Sequence, residues 1–322
     1  MLGSLDSNGF VRKSVLKSNM KHLLLILFSG VFFQGQEGRA AVCEGVRGQI
    51  QDVLFLKEPA CEFAKEISDV INQMSGIFGG PPPVTLVFGG ETDNASFDMG
   101  HMIQLPYHMI FFNRYGQEFP VPRASVITSA AHEYGHAIFQ ERLKKEFGTE
   151  YGKAFAALVE ASDIKEKSFR SQAGDDDFKK FNAELCKMPE YQALNSFTTA
   201  YSEFYADLLA VYFFKDKSAM FSALYYDDMN DHDFNYVKMR DFGSSPSLRY
   251  QSMMEEDHSK LAFVRTYVGK SLWPKSEKQA KVYAEKILTA IVSVLKKDLL
   301  SGKSPSYQDM NKNLIAELKK KE

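Results

Sequence analysis

The sequence is short of cysteine and tryptophan, carries no surplus of either charge, and has no long unbroken apolar run. Three cysteines, Cys43, Cys61 and Cys186, are too few for a disulfide-stapled scaffold, and they lack the paired spacing of a structural metal site. Lys and Arg number 39 against 41 Asp and Glu, a net charge of −2, so no basic surplus points to a nucleic-acid partner and no acidic one to a solvated tail. The longest apolar run, LLLILFSGVFF at 23–33, is too short to span a bilayer as a mature helix. Neither an internal repeat nor a low-complexity tract is present, which sets aside solenoids and linkers.

That short run fits a different role. Lys13, Lys17 and Lys21 precede it, and Gly38-Arg39-Ala40 follows as a small-x-small cleavage site. Residues 1–40 therefore read as a secretory signal peptide, with Met20 as a more compact start, and the mature chain is expected to be exported without a stable membrane span. Val42 stands before Cys43 where a lipidation signal has a small residue. Export permits a disulfide, for which Cys43–Cys61 is the local candidate; three unpaired thiols are the alternative.

The rest is 44% hydrophobic and 13% aromatic, enough for a sizeable core. Residues 41–322 read as one α+β domain, an α/β part over about 41–148 and a helical part over about 149–322. Apolar positions in 45–78 (Ile50, Val53, Leu54, Phe63, Ile67, Val70, Ile71) suggest one or two helices. After the breaker GGPPP at 79–83, VTLVF (84–88), MIQLP (102–106) and MIFFN (109–113) read as strands, with Pro106 favouring an edge. Residues 124–147 read as a helix stopped by Gly148, and further helices are expected at 150–170, 176–187, 197–214, 258–272 and 275–300. The stretch 215–257 is long and irregular, which in a compact domain points to function.

The chemistry begins at AAHEYGHAIF, residues 130–139. On a helix with His132 at zero, His136 falls near 40° and Glu133 near 100°, while Ile127, Ala131, Tyr134 and Ile138 lie almost opposite, at roughly 200–260°. Two imidazoles at i, i+4 reach one zinc ion, and a neighbouring carboxylate can take a proton from metal-bound water. Glu133 is the only charged residue in the stretch, unlike a merely solvated helix face. A second helix, FTTAYSEFYADLLAVYFF at 197–214, carries Glu203 and Asp207 one turn apart in apolar surroundings, with Ala200, Ala206 and Ala210 beside them. Buried charges need partners. Zinc would supply one for Glu203, and Asp207 can accept the outer N–H of a ligand histidine.

H-E-x-x-H on one helix with E-x-x-x-D on a later one resembles the gluzincin group of zinc metallopeptidases, the thermolysin-like and related enzymes. SEFYADLLA is also similar to the ligand helix of membrane and periplasmic HExxH peptidases that carry E-x-x-A-D. The resemblance implies His132, His136 and Glu203 as zinc ligands, Glu133 as general base and Asp207 behind the ligands. It also implies a zincin-like fold, a small, mostly antiparallel sheet packed on the active-site helix. Extended peptide substrate would lie along an antiparallel edge strand, for which MIQLP is the candidate. Residues 137–202 intervene between His136 and Glu203, far more than in thermolysin itself. No third histidine follows Phe139 in the metzincin pattern.

For an oxyanion donor the candidates are Tyr225, Tyr226, His232, His258 and Arg265, with His258 favoured because it falls on one face with Arg265 of an expected helix. Asp227, Asp228, Asp231 and Asp233 could bind calcium, but the segment lacks the glycine and terminal glutamate of an EF-hand loop. The expectation is thus an exported zinc metalloendopeptidase. A peptide-binding module retaining zinc, or a zinc hydrolase of a non-peptide amide, are the alternatives.

Overall fold

The computed structural model describes residues 39–40, 43–89, 94–113, 115–171 and 175–320. Residues 1–38 of the expected leader over 1–40 lie outside them, and its last two residues, Arg39–Ala40, form strand β1. Next come β2 (Ile50–Phe55), helix α1 (Cys61–Phe78), β3 (Val84–Phe88), β4 (Ser96–Phe97) and β5 (Met102–Leu105). The five strands make one sheet in the order β1-β2-β3-β5-β4. Its inner pairs, β2–β3 and β3–β5, are parallel, and the outer pairs, β1–β2 and β4–β5, are antiparallel.

The sheet is therefore mixed, which corrects the expectation of a mostly antiparallel one. The reason lies in the connections. Helix α1 carries the chain back across the sheet between β2 and β3, as a parallel pair requires. VTLVF of β3 is buried at every position, as a strand covered on both faces must be.

Within the sheet, two expected elements change. Ile50, Val53 and Leu54 mimic helical spacing, but they belong to β2, whose run IQDVLF buries four of its six residues beside β3. Its Phe55 ring stacks on Phe88 at 5.3 Å. MIQLP is not an edge: β5 lies inside, and β4 is the outermost strand, because Pro106 falls just past β5 and costs it no ladder bond. MIFFN contributes β6 (Ile110–Phe112), which pairs with β7 (Glu118–Pro120) in a separate hairpin.

Helix α2 runs over Arg123–Ser171, through Gly148, with non-helical angles only at Tyr151. Gly148 faces open space, so it strains nothing and does not end the helix. The chain turns back at Tyr151. Gln140 and Ser162 would stand about 33 Å apart on a straight helix, yet both hydrogen-bond the turn between β4 and β5. Then follow α3 (Asp175–Leu185), α4 (Pro189–Phe214), α5 (Ala219–Leu224), α6 (Asp231–Lys238), a 3-10 segment (Leu248–Glu255), α7 (Ala262–Ser271), α8 (Glu277–Ser301) and α9 (Tyr307–Lys319). The stretch expected to be irregular thus holds three short helical pieces. The unforeseen α9 is opened by Ser306, whose Oγ accepts the Asp309 N–H.

Cys43 and Cys61 are joined by a disulfide that ties the start of α1 to the segment before β2, leaving Cys186 free and half-buried. Among the described residues, no helix is long and apolar enough to cross a membrane. The architecture is α+β: a small mixed sheet followed by a mostly helical remainder.

Candidate metal centre

Helices α2 and α4 form the site by crossing closely. A Cβ built on Gly135 would lie 2.7 Å from Ala206 Cα and 3.1 Å from its carbonyl oxygen, so only glycine permits this approach. Both helices are buried all round here. Residues 131–140 of α2 and 200–212 of α4 are closed to solvent, and the imidazole face is covered as fully as the core face. That differs from the two-faced helix read in the sequence. A helix with no wet face must satisfy its polar side chains internally.

The two histidines of α2 and the two acids of α4 do so in one cluster. His132, His136 and Glu203 are each buried and bring ligand-type atoms within 4.8 Å of one another. His132 Nε2 stands 2.9 Å from His136 Nε2; Glu203 Oε2 is 3.3 Å from the former and Oε1 is 3.5 Å from the latter. The outer nitrogens are taken. His132 Nδ1 lies 2.9 Å from Asp207 Oδ1, and His136 Nδ1 lies 2.7 Å from Ser202 Oγ. Were both Nδ1–H groups to donate outward, two Nε2 lone pairs would face each other unless something positive lay between them.

In the metal-free chain that is a proton. Burial opposes charge on His132, but its bonds to Asp207 and Glu203 outweigh this and push it up to about 9. Burial brings its neighbour His136 down to about 3, so His132 is the donor and His136 the acceptor. Glu203 is held well below the usual carboxylate range, the cost of burial being overcome by His258, His136 and His132. Its Oε2 is buried and meets only the edges of His132 and His258, at 3.3 and 3.2 Å, without good hydrogen-bond geometry. Two imidazole nitrogens and a carboxylate oxygen, all aimed at one point, suit a divalent cation of the zinc type, once His132 gives up its proton. Among the described residues, this is the group that could hold a metal ion.

Glu133 points beside this group, its Oε1 3.9 Å from His132 Nε2. Burial raises its carboxyl, opposed by His132. Asp207 is fully buried and has further partners that the sequence did not reveal. Arg240 Nη2 donates to its Oδ1 and Arg265 Nη2 to its Oδ2, each at 2.6 Å. These cations and His132 overcome burial and hold Asp207 far below the usual range.

The oxyanion candidates separate. His258 Nε2 reaches the cluster, 3.2 Å from Glu203 Oε2. It is not on α7, as expected, but in the turn before it, because Glu256 accepts the His258 backbone N–H and also binds His258 Nδ1, each at 2.9 Å. Tyr236, another residue missed in the sequence, donates to Glu256 Oε2 at 2.8 Å. Arg265 is consumed by Asp207. Tyr225 and His232 are exposed beside Asp227 and Asp233, and Tyr226 donates to the Phe112 carbonyl. The proposed calcium acids do not converge: Asp231 and Asp233 open α6, where Asn230 caps the Asp233 N–H. His101 pairs with Glu166 at 2.7 Å, away from the cluster.

No protein-family model, curated protein or solved structure matches the chain.

Proposed function

We propose that the chain is an exported zinc-dependent metalloendopeptidase. One observation carries the reading: His132, His136 and Glu203 converge from two helices on one buried point, with the carboxylate of Glu133 beside it. A zinc ion held there would polarise the scissile carbonyl and acidify water. Glu133, its basicity raised by burial, takes a proton from the attacking water and returns it to the leaving amine. His258, gripped through Nδ1 by Glu256, offers its Nε2–H to the oxyanion. Asp207 fixes the His132 ring and its tautomer. The Cys43–Cys61 disulfide supports an oxidising compartment.

The test uses Glu133→Gln. The variant is expected to keep its fold and one zinc per chain while losing hydrolysis of an unfolded protein or a peptide library. Equal turnover by variant and wild type would overturn the mechanism. Glu203→Ala is expected to lose zinc; full zinc stoichiometry in that variant would overturn the ligand assignment.

A further inference from the structure

Glu133 has two oxygens with different neighbours. Oε1 faces the ligand cluster, and Oε2 accepts the backbone N–H of Phe97 at 2.7 Å. That N–H comes from β4. Asp98 N–H points inward to the Met102 carbonyl, so the alternation of an antiparallel ladder turns the Phe97 N–H outward, to Glu133. The position of β4 therefore sets the rotation of the Glu133 carboxylate.

Asp98 governs that position. Its Oδ1 accepts the N–H groups of Gly100, His101 and Met102 at 3.0, 3.1 and 2.9 Å. Its Oδ2 accepts the Ser162 hydroxyl at 2.5 Å, and Ser162 Oγ in turn accepts the His101 N–H at 3.2 Å. Met99, between them, holds a left-handed φ of 61°, and its carbonyl accepts Gln140 Nε2 at 3.1 Å. Gly100 sits so close to the returning half of α2 that an added Cβ would lie 2.2 Å from Ser162 Cβ. A strained non-glycine turn persists only where its surroundings over-determine it, and here both halves of α2 do so. The four bonds that Asp98 accepts all lie within this turn and at Ser162, away from the metal ligands.

We infer that Asp98 is a positioning residue for Glu133: it locks the turn after β4 so that the Phe97 N–H holds one carboxylate oxygen and leaves the other facing the ligand cluster. The inference rests on the reading of Glu133 as general base. It makes the amide of Phe97 a working part of the site and the turn at 98–102 its mounting. Losing the mounting frees the carboxylate to rotate, which slows the proton transfer and leaves zinc and substrate binding alone.

Three variants test it, with zinc content, Tm, KM and kcat measured on a quenched fluorescent peptide. Asp98→Ala removes every acceptor. Phe97→Pro removes the outward N–H, which belongs to no ladder bond, and with it the buried Phe97 ring, whose loss the Tm reports. Asp98→Asn keeps Oδ1 for the three turn amides and can donate to Ser162. The first two are expected to lose tenfold or more in kcat, with KM within twofold and zinc unchanged, and Asp98→Asn to stay near wild type. Full kcat in folded, zinc-loaded Asp98→Ala would overturn the inference; should that variant not fold, full kcat in Phe97→Pro would do the same. Amide exchange in metal-free, 15N-phenylalanine-labelled protein gives a readout independent of turnover. The Phe97 N–H is expected to exchange slowly in the wild type and fast in Asp98→Ala and Glu133→Ala. If the wild type hydrolyses no peptide, the functional proposal fails, and an unaltered Phe97 exchange rate in Asp98→Ala would then defeat the positioning inference separately.

Discussion

Asp207→Ala is the substitution whose effect the structure sizes most directly. The carboxylate is fully buried and faces two guanidinium groups, Arg240 and Arg265, which are themselves buried, together with the His132 ring. Truncation strands both cations without water. Removing one partner of a buried pair costs about 3–5 kcal/mol, and a second stranded guanidinium puts the total at about 5 kcal/mol or more. That is much of the roughly 5–15 kcal/mol by which domains are stable, and corresponds to a Tm lower by about 10 °C or more. Thermal melts and urea titrations of metal-free protein would measure it. A companion change separates charge stranding from cavity formation: Asp207→Asn with Arg265→Met should recover part of the loss that Asp207→Asn shows alone. The pH dependence has a definite sign. Asp207 is depressed in the folded chain, so its contribution is complete above its unfolded pKa near ~4 and disappears only as pH falls through the lower folded value. The stability gap between wild type and Asp207→Asn should be flat above pH ~5 and close below pH ~4. A loss under ~1 kcal/mol for Asp207→Ala, or a gap that widens with acid, would refute the assignment of this carboxylate as the counter-ion of three buried groups.

Other expectations follow from the same geometry. Gly135→Ala should destabilise by about 1–3 kcal/mol, because its Cβ meets the Ala206 backbone and outweighs the better helix propensity of alanine; the same spreading of α2 and α4 should weaken zinc binding in a chelator competition. Reduction of Cys43–Cys61, or Cys61→Ser, should cost about 3 kcal/mol for a loop of this size, read as a shift in urea midpoint that reductant produces in the wild type only. Zinc binding at pH 7 should release about one proton, because His132, pushed up to about 9, must give up its proton to become a ligand. Affinity should then rise with pH and level off near 9. Calorimetry in buffers of different ionisation enthalpy would detect it, and pH-independent affinity would contradict the His132 assignment.

How much of this was legible in the chain depends on how local each signal was. His132, Glu133 and His136 lie within one turn and a half of helix, so their shared direction follows from helical pitch alone. Glu203 and Asp207 stood out because acids inside SEFYADLLA demand partners. Their actual partners were not legible: nothing in residues 215–257 pairs Arg240 with an aspartate on a helix before it. His258 was favoured because helical spacing put it on one face with Arg265, yet it reaches the cluster from a turn held by the carboxylate of Glu256. Strand pairing is the least local signal of all. The apolar spacing of β2 fits a helix equally well, and only its neighbours β1 and β3 decide the matter. The start of α9 could have been found, since Ser306 and Asp309 are spaced as a capping pair.

The reversal of α2 at Tyr151 makes its two arms a phase-matched pair. Gln140 on the outgoing arm and Ser162 on the returning one grip the same turn. One residue inserted between them would rotate the returning arm by about 100° and swing Ser162 away from Asp98. Whole turns added to both arms together would instead carry the bend outward and leave the grip in register. Much of the long interval between His136 and Glu203 is this excursion and return. Its length is free to vary, but its angular phase is not, so tolerated insertions in 141–161 should come in matched pairs about Tyr151.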